Sequence, residues 1–223
     1  MGKDMKTEVY SLRQRKHART KLAIMNAFIK RLEKSRLEDI SIRQICKSVE
    51  ISEGTFFNYF PQKLDIINYY KYLMFLRIIW QARQDAPPDK CLALIRAAFK
   101  RMAEESKNAS IIYQIIAVMI VQQEMPKKAV ISDIEKQIAF PGCPGIENIS
   151  SVCIDDFIKE CLKGAVHNGE LPSDTRVDDV LVSLMAIIGG TLLAAKFADV
   201  KDRSYHYMRQ LELLWKGLGA KVR

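Results

Sequence analysis

Apolar positions along this chain recur at the three- and four-residue spacing of helices, and no run keeps up the alternation of a strand. Ile24, Ala27, Phe28 and Leu32 repeat at i, i+3, i+4 and i+8, which predicts a first helix over about residues 18–34 with Lys21, Lys30, Arg31 and Lys34 mostly elsewhere around it. Ser41, with Gln44 three residues on, has the form of a capping box and opens a second helix whose apolar face is Ile42, Ile45, Cys46 and Val49. After the short joint Val49-Glu50-Ile51, Ser52 caps a third helix carrying Thr55 to Phe60; Pro61 ends it and can open the next. A long helix rich in bulky residues runs from Lys63 to about Arg83, and Ala86-Pro87-Pro88 closes that segment. Further helices are expected over about 89–105, 108–123, 127–139, 146–167, 176–198 and 202–217. Two prolines and two glycines make Phe140 to Gly145 a loop, and Gly169 is placed for a left-handed stop. The expected fold class is therefore all-α, with about nine to ten helices.

Charge changes this picture by being uneven. The chain carries 35 Lys and Arg against 26 Asp and Glu, and residues 1–63 hold 14 of the basic and 7 of the acidic side chains. Most of the excess thus belongs to the first quarter, where a positive field favours a polyanionic partner such as nucleic acid and equally serves solubility. Apolar residues at 48% and charged residues at 27% place the chain in the globular range.

Two short capped helices joined by about three residues have the layout of a helix-turn-helix, which a plain helical hairpin in a bundle would share. The residues decide more. The stretch Ala18 to Ile67, with Ile42-Arg43-Gln44-Ile45 on the second helix and then Ile51-Ser52-Glu53-Gly54-Thr55-Phe56-Phe57-Asn58-Tyr59-Phe60-Pro61-Gln62-Lys63, resembles the N-terminal domain of TetR-family repressors. The likeness covers about 50 residues, and beyond it the helices match that family in number and order only.

The resemblance implies a division into an arm and helix-turn-helix DNA-binding domain, residues 1–63, and a helical effector-binding and dimerisation domain, residues 64–223. It assigns Arg43 to base edges or phosphate, which a guanidinium can serve by forking onto guanine O6 and N7. It turns Glu53, Gly54, Thr55 and Asn58 outward on the third helix. Asn58 suits adenine, Glu53 suits cytosine N4, and Thr55 suits a thymine methyl or a phosphate. Ser52 and Phe57 belong to the same surface, and Tyr59 and Lys63 match phosphate-contacting positions, Lys63 at a helix start that itself favours an anion. The basic run Arg13, Arg15, Lys16 and Arg19 is read as a flexible arm able to approach the backbone or a minor groove, or as a solvated tail. The chain departs from the family at three positions: Phe57 replaces a usual Tyr, Leu64 a common acidic residue, and Glu50 a turn Gly, so Glu50 must adopt a left-handed conformation or alter the turn.

The second part is read more coarsely. Tyr69, Tyr72, Met74 and Trp80, with Phe99, Met102, Tyr113 and Met119, are large or adaptable side chains that serve either as plain core or as the lining of an apolar pocket for an unknown small-molecule effector. Val180 to Ala195 is uncharged over 16 residues, somewhat short of a bilayer span, and is read as a buried helix rather than a membrane anchor. Val182, Met185, Gly189, Gly190 and Leu193 on it are the expected homodimer interface, paired with the helix at 146–167 as the resemblance implies. The expected function is a cytoplasmic, ligand-responsive repressor that binds a palindromic double-stranded DNA operator as a dimer, without membrane, metal or cofactor.

Other chemistries find less support. His17, His167 and His206 stand beside no nucleophile motif, so no enzyme is expected. The five cysteines, Cys46, Cys91, Cys143, Cys153 and Cys161, lack zinc-site spacing, and the first residues lack an apolar signal core, which fits a reducing cytoplasm. Because Cys153 and Cys161 lie eight apart, near one helix face, a thiol- or metal-responsive regulator is the alternative.

Overall fold

A computed structural model of the chain describes residues 10–105, 109–121, 128–150, 153–198 and 202–221. Ten α-helices and no strand occur among the described residues: α1 (Leu12–Leu32), α2 (Ile42–Val49), α3 (Glu53–Tyr59), α4 (Lys63–Asp85), α5 (Cys91–Glu105), α6 (Ala109–Val121), α7 (Asp133–Ala139), α8 (Ile154–His167), α9 (Val177–Phe197) and α10 (Arg203–Gly217). The chain falls into two compact units, Met1–Leu73 with Ala117–Ser150, and Met74–Ile116 with Ser151–Arg223.

In the second unit α5 packs on α8 and α10, and α9 packs on the same two helices. Its core holds Phe99 edge-on to Tyr207 with ring centres 5.6 Å apart. Tyr207 is fully buried, and its hydroxyl donates to the Ile188 carbonyl at 2.9 Å, so the ring is buried without leaving its polar end unsatisfied. Helix α9 is uncharged from Val180 to Ala195 and apolar around most of its circumference there, yet only Val180, Leu184, Thr191, Leu192 and Ala195 are buried. It is long and apolar enough to cross a membrane, and the expectation of a buried helix holds on one face only; Val182 and Phe197 remain 69% and 85% exposed.

Two expected helices start elsewhere. In place of a helix from residue 146, Ile146–Asn148 forms one 3-10 turn, Ile149 is extended, and α8 begins at Ile154. The cause is remote in sequence. The Lys136 ammonium takes the carbonyls of Glu147 at 3.1 Å and Ile149 at 2.8 Å, acceptors that a continuing helix would need. Likewise residues 128–132 are not helical, and α7 starts only where Ser132 and Glu135 close a capping box. Gly169 does adopt the left-handed stop expected of it, at φ +70°.

In the first unit α1 packs on α2 and α7 through a stripe that includes Ala18, Leu22, Met25, Phe28 and Leu32. α1 starts six residues earlier than apolar periodicity predicts. Ser11 Oγ accepts from the Gln14 amide at 3.2 Å while Gln14 Oε1 accepts from the Ser11 amide at 2.8 Å, a complete capping box. The basic run from Arg13 to Arg19 is therefore the opening of a helix and not an arm. Further along α1, the Lys21 ammonium meets Glu135 Oε1 of α7 at 2.9 Å and lies 4.3 Å from the centre of the Tyr69 ring. Glu135 is deeply buried, its other oxygen accepting from the Ser132 amide at 2.7 Å. Burial and the neighbouring Glu135 carboxylate push the Tyr69 phenol well above its usual range. Glu135→Gln keeps the cap acceptor and strands the Lys21 charge, so urea unfolding is expected to show a loss of about 3 kcal/mol. Adding Lys21→Met should restore at least about half of that loss; strictly additive losses would mean the two side chains are not coupled.

Candidate nucleic-acid interface

The short helices α2 and α3 are positioned by caps and by one strained residue. Ser41 Oγ accepts from the Gln44 amide at 3.4 Å, the forward half of the expected box; the Gln44 side chain does not close the other half. Ile45 and Cys46 face inward from α2, leaving Arg43 exposed. The chain then reverses at Glu50, which adopts φ 59° and ψ 46°, the left-handed conformation that the missing glycine demanded. The amide of Ile51 reaches back to the Cys46 carbonyl at 3.0 Å and closes the turn.

Ser52 caps α3 by accepting from the Thr55 amide at 3.1 Å, and its hydroxyl pairs with that of Thr55 at 2.8 Å. Phe56 is fully buried, and Phe60 follows it inward at the helix end. With those two rings fixed, Glu53, Gly54, Phe57 and Asn58 all point to solvent on one face. Phe57 is 44% exposed, a large apolar surface beside polar neighbours. A Cβ on Gly54 would meet only Ser52 Oγ, at 3.9 Å, so nothing within the chain requires glycine there.

The remaining residues expected at the interface divide in two. Tyr59 is half-buried, its ring centre 4.6 Å from that of His17 on α1. Arg19 is exposed, whereas Arg15 lies at the end of the buried stripe and is half-buried. Lys63 donates to the carbonyls of Leu37 at 3.1 Å and Glu38 at 3.2 Å, tying the start of α4 to the loop before α2. Among the described residues none of Arg15, Arg19, Arg43 and Lys63 pairs with a carboxylate, so this side of the unit keeps its positive field. Read as an arm, the basic run gives His17 no role; with α1 starting after the Ser11 cap, position 17 lies on the helix beside Tyr59 of α3. Arg31 also acts as a structural clasp, donating to the Ala27 carbonyl at 2.8 Å and the Gln44 carbonyl at 3.2 Å.

The residues expected at an effector pocket are spread over both units. Tyr69 and Tyr72 are buried in the first. In the second, Phe99 and Met102 are buried, Trp80 is half-buried, and Tyr113 donates to the Leu192 carbonyl at 3.1 Å beneath the Lys196 ammonium. The side chain of Met119 lies outside the described residues. A cavity of about 810 Å³ in the second unit borders none of these residues. Of the residues expected at a dimer interface, Val182, Met185, Gly190 and Leu193 are exposed and Gly189 half-buried, along one side of α9.

No family model matches the sequence, and no curated protein resembles it significantly. Solved structures do. The chain is similar to FadR of Thermus thermophilus, a TetR-family transcriptional repressor in complex with lauroyl-CoA, with a TM-score of 0.65 at 19% identity over 91% of this chain and 96% of that one. It is similar also to a TetR transcription regulator from Haloarcula marismortui (TM-score 0.58, 14% identity, 90% and 96% covered) and to a TetR-family regulator from a Shewanella species (0.57, 12%, 92% and 99%). Over about 90% of its length the chain has the fold of these TetR-family regulators.

Three of the thiols, Cys46, Cys91 and Cys161, sit in surroundings that raise their pKa. Cys46, Cys91, Cys153 and Cys161 are buried and Cys143 is half-buried. Burial pushes the Cys161 thiol up to about 12, and burial with the nearby Glu170 raises Cys91. Cys153, Asp155 and Asp156 bring ligand atoms within 4.8 Å of one another at the start of α8, where the helix dipole accounts for the carboxylates. Iodoacetamide added to the native protein at about pH 8 is expected to alkylate Cys143 at least about tenfold faster than Cys161, read by peptide mass spectrometry. Equal rates would return the buried thiols to consideration as sensors.

Proposed function

We propose that this protein is a ligand-responsive, DNA-binding transcription regulator, a cytoplasmic repressor that grips a palindromic operator as a homodimer and lets go when a small molecule binds. The observation that carries the reading is the outward face of α3: Glu53, Gly54, Phe57 and Asn58 exposed together, with Arg43 exposed on α2. A short helix held from behind by Phe56 and Phe60 can enter a major groove about 12 Å wide. In it, Asn58 and Arg43 have the donor patterns for adenine and guanine edges, and Phe57 offers apolar contact to a thymine methyl. Glycine at position 54, which nothing in the chain requires, lets the helix backbone come close to the duplex. Lys63, already committed to two carbonyls, braces the unit and offers phosphate a charge from a fixed position.

Dimerisation draws support from α9. Val182, Met185, Leu193 and Phe197 form an exposed apolar stripe, and a Cβ on Gly189 or Gly190 would meet nothing in the same chain, which fits the close approach of a second copy. Release by a small molecule draws on the fold shared with a repressor that binds lauroyl-CoA, and follows from a population shift when the ligand prefers one arrangement of the reading heads.

The full chain is expected to bind duplex fragments, among them the DNA upstream of its own gene, with affinity falling as salt rises by about 0.9 in log K per log salt for each phosphate contacted. A flat salt response or no binding to any duplex would sink the reading. Arg43→Ala should cost about 1–3 kcal/mol on the preferred duplex and little on others, compared by gel shift. Val182→Glu with Leu193→Glu should convert a dimer to a soluble monomer in sedimentation velocity. An unchanged dimer, or wild-type chain that pellets with phospholipid vesicles, would give α9 a different partner.

A further inference from the structure

The second unit carries a concave surface that neither the DNA-reading face nor the dimer stripe uses. The cavity of about 810 Å³ lies between α5 and α10, with one end closed by the corner Asn168-Gly169-Glu170 and by Lys221. Residues at i, i+4, i+7 and i+11 of α10, namely Tyr205, Arg209, Glu212 and Lys216, share its outer wall, and Leu92, Leu211 and Trp215 are buried beneath it. Tyr205, 61% exposed, and Met208, half-buried, add apolar surface at the same wall.

Its charges are one-sided. Lys90, Arg96, Lys216 and Lys221 border the groove, and among the described residues none has a carboxylate partner. The two acidic residues at the groove are both committed. Glu212 pairs with Arg209 at 2.9 Å, and the carboxylate oxygens of Glu170 accept from the first amides of α5, Cys91 at 2.9 Å and Leu92 at 3.1 Å. The second unit as a whole has 17 basic and 14 acidic residues, so these four cations exceed its entire net charge. Like charges gathered on a concave surface with low-dielectric walls repel one another and concentrate anions.

We propose that the α5–α10 groove is a binding site for a small phosphorylated organic molecule, its phosphates held by Arg96, Lys216 and the flanking lysines and its aromatic or aliphatic body laid against Tyr205 and Met208. Guanidinium and ammonium groups are the side chains that hold phosphate, the first by forked bonds and the second as a point charge. The volume is that of a small-molecule site. A hollow between two helices cannot enter a duplex groove, which distinguishes it from the convex face of α3. The site does not rest on the regulator reading, because its test measures ligand binding directly.

Calorimetric titration of the full chain compares ATP with inorganic tripolyphosphate, and octyl phosphate with inorganic phosphate. In at least one pair the organic phosphate is expected to bind about tenfold tighter than its inorganic counterpart. The double variant Arg96→Gln with Lys216→Gln, both exposed, should weaken that binding at least about tenfold without changing the unfolding midpoint. Lys163→Gln, exposed on α8 outside the groove, should stay within about twofold of wild type. Absence of binding by the wild-type chain, equal affinity of organic and inorganic phosphates in both pairs, or a double variant that binds as before would each overturn the proposal. So would a double variant that keeps its phosphate binding and loses duplex binding, since the groove would then serve DNA.

Discussion

Lys21 holds the first unit at the place where its helices converge. Its ammonium sits between the Glu135 carboxylate of α7 and the face of Tyr69 on α4, and Tyr69 lies edge-on to Phe60, the residue that ends α3, with ring centres 5.6 Å apart. One turn earlier on the same side of α1, His17 lies against Tyr59 of α3. Positions 17 and 21 thus form a single line of contacts that sets α3 against α1. A charge pair this buried adds little net stability beyond what an apolar pair would, because desolvation offsets most of the attraction. What it adds is selectivity of arrangement, since any shift that separates Lys21 from Glu135 leaves a charge in low dielectric.

That arrangement also explains which parts of the fold were legible beforehand. The caps at Ser41 and Ser52, the inward periodicity of Ile45, Cys46, Phe56 and Phe60, and the outward position of Asn58 depend on neighbours within four residues, and such local rules can be read along the chain. The opening of α1 was not read because Arg13, Arg15, Lys16 and His17 carry no apolar period; their helix is started by the Ser11 and Gln14 box. The late start of α8 was not legible either, since it follows from Lys136 claiming carbonyls 11 and 13 residues away. Tyr69 shows the same limit at the level of function. A large aromatic on a long helix fits a pocket lining by composition, whereas the approach of Lys21 and Glu135 from two other helices depends on partners far away in sequence.

Positions that folding does not explain are the ones on which the proposed partner surfaces rest. Gly54, Gly189 and Gly190 each have room for a side chain, so their lack of one has no cause inside the chain. Phe57, Val182 and Phe197 expose apolar surface that a solitary chain would do better to cover. The cations of the α5–α10 groove are the polar counterpart, a set of like charges with no carboxylate partner among the described residues. Small side chains beside exposed apolar ones suit close-fitting macromolecular contact, whereas a charged hollow suits a small anion. On the proposed reading the surfaces take different kinds of partner.

Glu50 brings the same argument to the backbone. An L-residue in the left-handed region costs about 1–2 kcal/mol relative to glycine, and here the cost is met at the joint between α2 and α3. The turn keeps its form because the bonds around it leave no alternative. The Ile51 amide needs the Cys46 carbonyl, and Ser52 must be extended to cap α3, at ψ 157°. A relaxed Glu50 would break both and swing Phe56 out of the core. The strain is therefore held in place by the burial of one aromatic ring, Phe56, four residues past the Ser52 cap, and the exposed face of α3 inherits its direction from that balance.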